Sequence, residues 1–394
     1  MRAYFAPCGM GLGHIVRCEA VLRRLRELTD VDAYFATYSE GLSYARGSGL
    51  KALEIPRIRL VMKRNGEIDV ERTLCYVTPR LPSIVAKQLA HDLKYMTLLR
   101  PDVVISDTRA VAILAAKLAR LPCVCLLNQA RVFVPRRKRM LRVSRLAEAG
   151  LLATLGEVWL LADEIFVPDY PEPFTISRMN LTAPDRMRRK MHLVGPILTK
   201  RPEELPGQEE LKEELGFRPE DPLIFMPVTG MLEERPHFLK SMLRVLRDLT
   251  NHLQVVVSLG LPDKGERSLV NSPSFRVYYW VNDFYSYLKA CDVVILRGGH
   301  GGITKCMAFG KPMLIVPPPS HTEKMVNAYR AKEVGVAEVL LQEEIYRERV
   351  KEALMSLLEE PSYREKLQLT RRLANRLDAL GEIASSILRL AERS

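Results

Sequence analysis

The chain has 394 residues, a formal net charge of +12 and a pI near 9.4. That length exceeds what one hydrophobic core usually accommodates, so two domains are expected, and 47% apolar with 27% charged residues excludes a disordered or fibrous chain. No apolar run reaches transmembrane length and no signal-peptide pattern opens the sequence, so a cytoplasmic protein is expected, whose basic balance favours an anionic partner: a nucleotide, a phosphorylated lipid, a membrane surface or a nucleic acid.

Tyr4 to Pro7 reads as a short strand running into Cys8-Gly9-Met10-Gly11-Leu12-Gly13-His14. A helix follows from Ile15 to Leu28, with apolar Val21, Leu22, Leu25 and Leu28 near helical spacing. The glycine spacing is not GxGxxG, so the dinucleotide fingerprint is absent. His14 falls on the first turn of the helix, facing whatever occupies the adjoining cleft. Strands are predicted at Val31 to Thr37 and Leu50 to Ile55, with a short helix at Leu42 to Gly47 between them. Residues 63–72 are polar and read as a loop, and 82–99 as a helix. Pro101 to Asp107 is a strand ending in an acid, Ala110 to Ala119 an alanine-rich helix, and Pro122 to Leu127 a strand ending at Asn128 and Gln129.

This alternation predicts a mostly parallel sheet covered by helices, with ligands collecting beyond the carboxyl ends of its strands. His14, Asp107, Thr108, Asn128 and Gln129 all belong to that edge. Of the seven cysteines, Cys123 and Cys125 are two apart, the wrong spacing for a CxxC zinc or redox pair, and read as strand cysteines in a reducing compartment.

Residues 131–145 carry seven arginines and lysines interleaved with apolar residues, and the chain is strongly apolar from Leu146 to Leu161. Such a collar beside an apolar helix suits peripheral contact with an anionic membrane or lipid phosphate through 131–161, against the plainer reading of a solvated face followed by a core helix. A strand ending near Ile197 leads into a polar, proline-bearing linker over 199–220, which places the domain boundary near residue 198.

The second domain opens with a strand at Leu223 to Pro227, followed by Val228, Thr229 and Gly230. A helix at Phe238 to Leu249, strands at Leu253 to Ser258 and Phe275 to Tyr279, and a helix at Phe284 to Lys289 lead to residues 292–329. There an apolar strand runs into Arg297-Gly298-Gly299-His300-Gly301-Gly302, then a helix over Ile303 to Phe309 closed by Gly310, then a strand at Met313 to Val316. Strand, glycine turn and helix present bare backbone N–H groups at a helix N-terminus, a geometry that binds phosphate. Helices are predicted over 343–358 and, as one long element, 361–393.

Two α/β halves with glycine turns at both ends resemble the GT-B fold of nucleotide-sugar glycosyltransferases, most closely the MurG-like and UDP-glycosyltransferase group. The likeness spans essentially the whole chain and is strongest from Arg297 to Ala328: Gly298-Gly299, the step Gly310-Lys311-Pro312, the strand from Met313 and the pair Asn327-Ala328. Gly11, Gly13 and His14 look like the family's G-x-G-H loop, and Pro101 to Asp107 like its PDVVISD strand. The resemblance implies two doubly wound Rossmann-like domains facing a cleft. Residues 1–198 would bind the acceptor and 199–394 the donor, with the last helix packing back on the first domain.

By resemblance, the donor diphosphate lies on the amides of Gly299, His300, Gly301 and Gly302, and the base is read near Val281. Gly11, Gly13, Thr229, Gly230, Arg297, Gly298, Lys305, Glu323, Lys324 and Asn327 complete the donor surroundings. No metal and no cofactor beyond the donor, a UDP-sugar by preference, are implied, since helix dipoles and basic groups stabilise a leaving diphosphate. His14 is the candidate general base or a phosphate contact, and Asp107 orients it, accepts the proton, or merely caps the next helix.

Three positions depart from the family. Lys305 stands where a glutamate usually accepts the ribose hydroxyls, which a lysine cannot do. Arg297 replaces a histidine common in UDP-glycosyltransferases, and Lys324 a glutamine. Either the donor carries its charge differently, or Glu323 supplies the missing acceptor while Lys324 meets phosphate, or the site binds another anion.

The implied activity is metal-independent hexosyl or N-acetylhexosaminyl transfer from a nucleotide sugar to an acceptor hydroxyl, lipid-linked in one version. A nucleotide-sugar 2-epimerase of the same fold is the alternative enzyme, and a non-catalytic protein for an anionic ligand the alternative class. Nucleic acid is disfavoured because no aromatic-and-basic strand pattern offers base stacking.

Overall fold

The computed structural model describes residues 1–57, 61–63, 69–130, 155–251, 253–319 and 321–393. Among them the strands form two seven-stranded sheets. The first holds β1 (Arg2–Pro7), β2 (Asp32–Thr37), β3 (Lys51–Glu54), β4 (Val103–Asp107), β5 (Cys123–Leu126), β6 (Glu164–Val167) and β7 (Met191–Leu193), in the order β3-β2-β1-β4-β5-β6-β7. Every pairing in it is parallel. Parallel strands are covered on both faces, which is why Tyr4, Phe5 and Ala6, or Val103, Val104 and Ile105, are consecutive apolar residues with no exposure. Cys123 and Cys125 lie buried in β5, and no cysteine is paired.

The second sheet holds β8 (Leu223–Pro227), β9 (Gln254–Ser258), β10 (Ser268–Asn271), β11 (Phe275–Tyr278), β12 (Val293–Leu296), β13 (Met313–Ile315) and β14 (Ala337–Val339). Its order is β10-β11-β9-β8-β12-β13-β14, parallel except for the antiparallel edge strand β10. The strand order reverses between β1 and β4 in the first sheet and between β8 and β12 in the second. In open α/β sheets the crevice for ligands opens at such a reversal. Both glycine turns therefore start at the places the topology reserves for binding.

Several elements differ from the sequence expectation. The polar stretch read as a loop over 63–72 runs into a helix at Val70–Val77. The single helix expected over 361–393 is two, Pro361–Ala374 and Ala379–Ala391, because Asp378 caps the second by accepting from Gly381 N at 3.1 Å. The edge strand β10 carries no alternating pattern and was not anticipated. The basic collar and most of the apolar stretch after it, over 131–154, lie outside the described residues. No helix among the described residues is long and apolar enough to cross a membrane.

Two segments tie the halves together. The Ala379–Ala391 helix buries Ile383, Ala384 and Ile387 in the N-terminal core beside Ile15, Leu22 and Leu25. In the other direction, Tyr170 and Ile176, between β6 and β7, are buried in the C-terminal core.

Candidate active site

The N-terminal turn leaves β1 at Pro7 and enters a helix at Gly13–Leu28, with no side chain capping its first amides. His14 and Arg17 are three apart on that helix, so they share a face. Both meet Asp107, the last residue of β4, which pairs in register with Pro7. His14 Nδ1 lies 2.7 Å from Asp107 Oδ1. Arg17 donates to both carboxylate oxygens, Nε to Oδ2 at 2.6 Å and Nη2 to Oδ1 at 2.6 Å. Thr108 Oγ1 adds a fourth donor at 3.1 Å.

Asp107 is fully buried. Burial alone would raise its carboxyl, but Arg17 and then His14 overturn that and hold it well below the usual carboxylate range. An ionised carboxylate only accepts, so His14 Nδ1 carries the hydrogen and Nε2 carries the lone pair. His14 keeps 24% of its side chain exposed. A base with its lone pair open and its far side fixed by an anion is arranged to take a proton. Asp107 does not cap the next helix, at Ala110–Leu118, whose N-cap is Arg109.

The C-terminal turn is built differently. After β12 the chain turns at Gly298, with φ +80, where a Cβ would sit 2.5 Å from Lys324 O. Only glycine fits that backbone and that approach. Asn327 Nδ2 donates to Gly298 O at 3.3 Å and fixes the turn from the neighbouring helix, Thr322–Val334. Gly299 is the N-cap of the helix His300–Phe309, and Gly302 N and Ile303 N donate to its carbonyl at 3.1 and 3.2 Å. The amides of His300 and Gly301 precede the first intrahelical donor, Gly302 N. A Cβ placed on Gly299 or Gly301 would meet nothing within 4 Å, so both glycines border open space.

The turns approach each other through the loop after β8, where Gly11 lies about van der Waals distance from Gly230 (3.8 Å from an ideal Cβ on Gly11). The buried Arg235 gathers the carbonyls of Gly230, Leu259 and Gly260 and so fixes the loops after β8 and β9. Among the described residues no three His, Cys, Asp or Glu side chains are grouped to hold a metal ion.

Comparison with known proteins matches both halves. The glycosyl transferase family 1 model matches residues 1–151, and the glycosyltransferase family 28 C-terminal domain matches residues 235–379. An uncharacterised glycosyltransferase of Methanosarcina acetivorans is 29% identical over 388 residues, covering 96% of this chain and 95% of that one. The spinosyn rhamnosyltransferase SpnG complexed with thymidine diphosphate superposes with a TM-score of 0.68 over 98% of this chain and 99% of that one, at 14% identity. The chain is a GT-B fold glycosyltransferase. A third relative is the UDP-N-acetylglucosamine–N-acetylmuramyl-(pentapeptide) pyrophosphoryl-undecaprenol N-acetylglucosamine transferase of Rubrobacter xylanophilus. It is 30% identical over 141 residues, 35% of this chain and 40% of that protein.

Most of the remaining expected donor residues of the transferase fall into three groups, with Lys305 and His300 apart. Gly11 and Gly230 meet where the turns approach each other, and Gly13 and Thr229, beside them in the chain, are exposed. Glu323 and Lys324 start the Thr322–Val334 helix but are already engaged. Glu323 Oε1 accepts from Asn128 Nδ2 of the other half at 3.0 Å, and Lys324 Nζ lies 3.0 Å from Glu234 Oε2. Arg297 and Val281 have side chains turned into the core. Arg297 stacks on the Phe238 ring at 4.2 Å and donates to Gln342 Oε1 at 3.1 Å; burial pushes its guanidinium down to about 10, against the opposing pull of Glu234.

Lys305 is half-buried, with Nζ 5.6 Å from the ring centroids of both Phe284 and Tyr285. It sits one helical turn beyond Gly301, on the same face. His300 is buried beside Asp169. His321, just before the Thr322–Val334 helix, has its imidazole pushed well below its ordinary value by burial, with Lys324 and Arg297 adding to the effect.

Sequence reasoning missed Arg17, Glu234, Arg235 and Asp169. Arg17 had a signal, since a residue three beyond a candidate base on one helix shares its face. Asp169 follows the end of β6, and Glu234 and Arg235 follow the loop after β8, where the sequence pattern points only to Thr229 and Gly230.

Proposed function

We propose that this transferase moves a hexosyl or N-acetylhexosaminyl group from a UDP-sugar to an acceptor hydroxyl. The observation that carries the reading is the pairing of a His14–Asp107 dyad at one topological switch point with bare helix-start amides at the other. His14 Nε2 takes the acceptor hydroxyl proton as the oxygen attacks the anomeric carbon. Asp107 stabilises the imidazolium that forms, and Arg17 keeps Asp107 ionised. The bond from the anomeric carbon to the diphosphate breaks, and the charge that appears on the leaving oxygen falls on the amides of His300 and Gly301 and on the helix dipole. Attack from the side opposite the leaving group inverts the anomeric carbon.

A pyrimidine nucleoside diphosphate is supported by two comparisons: the Rubrobacter relative is named for a UDP-sugar, and SpnG is complexed with thymidine diphosphate. A lipid-linked acceptor is supported by that same relative's pyrophosphoryl-undecaprenol acceptor and by the basic run over 131–145. A donor of this kind also supports a cytoplasmic location.

A thermal-shift screen with UDP, TDP, GDP and ADP tests the donor class, because a ligand that binds only the folded state raises its stability. UDP or TDP is expected to stabilise most. If none of the four shifts the transition, the reading falls. Labelled donor incubated with lipid extract then tests the acceptor, and label that stays in the aqueous phase would exclude a lipid-linked one.

A further inference from the structure

Residues 169–180 join β6 to β7 of the N-terminal sheet, yet they pack on the two helices that carry the donor turn. Tyr170 Oη donates to Thr304 O at 3.2 Å, and Arg330 Nε donates to Thr175 O at 3.0 Å. Asn180 Nδ2 donates to Asn327 Oδ1 at 2.8 Å, and Asn327 in turn holds Gly298. Asp169 opens this segment. It is fully buried and accepts from Tyr170 N at 2.7 Å, Ile176 N at 3.2 Å, Ser177 N at 2.7 Å and Ser177 Oγ at 2.5 Å. Its Oδ2 also lies 3.0 Å from His300 Nε2. Burial would raise this carboxyl, but His300 and the Ser177 hydrogen bonds bring it below its ordinary value, so it stands as an anion.

His300 has only 2% of its side chain exposed. Neither ring nitrogen makes an aligned hydrogen bond: Nε2 is close to Asp169 without hydrogen-bond geometry, and Nδ1 has no partner among the described residues. Leaving such a buried polar group unpaired costs about 1–3 kcal/mol. An unpaired group beside a functional turn is explained when a ligand supplies the partner. His300 is also the first residue of the helix at whose start Gly299 and Gly301 border open space. An anion seated on the first amides of that helix therefore lies beside the residue that carries the ring.

We propose that His300 donates from Nδ1 to a phosphate oxygen of the nucleoside diphosphate, and that Asp169, from the opposite half of the molecule, is the positioning residue whose carboxylate, 3.0 Å from Nε2, orients the ring by its charge. This rests on reading the glycine turn as the donor phosphate site. It makes that site a joint product of both halves: the carboxylate comes from the end of β6, the imidazole and amides from the turn after β12. A carboxylate behind an imidazole that faces an anion gives a charge-assisted hydrogen bond, stronger than a neutral one and directional.

The test is a set of variants, His300→Ala, Asp169→Asn and the double variant, each titrated with UDP and TDP and assayed for KM and kcat. Each single variant is expected to weaken nucleoside-diphosphate binding about 10-fold, the loss of one charge-assisted hydrogen bond. The double variant is expected to be no weaker than His300→Ala, since Asp169 acts only through the ring. Donor KM should rise more than kcat falls, a split that general loosening of the fold does not produce.

His300→Ala leaves all four hydrogen-bond donors of Asp169 in place, so it reports even where Asp169→Asn fails to fold. Unchanged nucleotide affinity in His300→Ala would overturn the proposal, as would equal effects of Asp169→Asn with and without His300. A wild-type protein that binds no nucleoside diphosphate would overturn both this proposal and the donor reading beneath it.

Discussion

The two glycine turns begin alike, each at the carboxyl end of a buried parallel strand where the strand order reverses, and they end in different chemistry. The N-terminal turn fills its site with side chains: His14, Arg17 and Asp107 form a closed network in which one carboxylate takes four donors. The C-terminal turn gives its site mainly to the backbone: Gly299 and Gly301 border open space, His300 is the one turn side chain proposed for the phosphate, and the cationic neighbours Arg297 and Lys324 are drawn off to other partners. Arg297 rests on Phe238 and Lys324 on Glu234. Proton transfer needs a side chain of tuned basicity held in one orientation, whereas a diphosphate needs several donors at close approach and no bulk. One supersecondary unit serves both roles, according to whether side chains or backbone amides predominate after the glycines.

That contrast predicts different failures at the two turns. His14→Ala removes the base and is expected to lower turnover by about 10²–10⁴-fold, with nucleotide affinity unchanged. Steady-state kinetics beside a UDP titration checks it, and a parallel loss of affinity would make His14 a phosphate contact instead.

Asp107→Asn is expected to reduce turnover less while destabilising the fold by about 3–5 kcal/mol, because it leaves Arg17 buried without its anion. The pH dependence has a definite sign. A carboxylate lowered on folding contributes stability that is fully present above its unfolded value, near pH 4, and is lost as pH falls through the lower folded value. Acid unfolding curves of the wild type and Asp107→Asn should therefore converge as pH drops below about 4. A constant separation down to strong acid would contradict the pairing.

The smallest effect belongs to Lys305→Glu. Reversing a half-buried charge one turn from Gly301 is expected to weaken UDP binding about five-fold, corresponding to ~1 kcal/mol. No change in titration would place Lys305 outside the nucleotide's surroundings.

Much of this architecture is legible in the sequence. Apolar runs such as Val293 to Leu296 mark strands buried on both faces, and a run of glycines directly after one marks a turn with close backbone approach. His14 and Asp107 are legible as neighbours because one opens the helix after β1 and the other closes β4, the strand beside it. Partnerships between distant segments are not legible. Nothing local in Pro168-Asp169-Tyr170 signals that this loop belongs to the opposite core, or that its carboxylate meets a histidine 131 positions later (300 − 169). The engagement of Glu323 with Asn128 is hidden for the same reason, since sequence shows which residues reach an edge but not which groups there satisfy one another. The split of the last helix turned on one capping aspartate, Asp378, inside a continuous charged pattern.

The account rests most heavily on the claim that the open backbone after β12 binds the diphosphate, and Gly301→Asp tests it most directly. A Cβ added at Gly301 meets no atom within 4 Å, and an acid in the first turn of a helix favours that helix. The variant should fold with a melting temperature equal to or above that of the wild type, yet its carboxylate would occupy and repel the phosphate position. Calorimetric titration with UDP and TDP is expected to show binding in the wild type and none in Gly301→Asp. Undiminished binding in a folded Gly301→Asp variant would contradict the central claim.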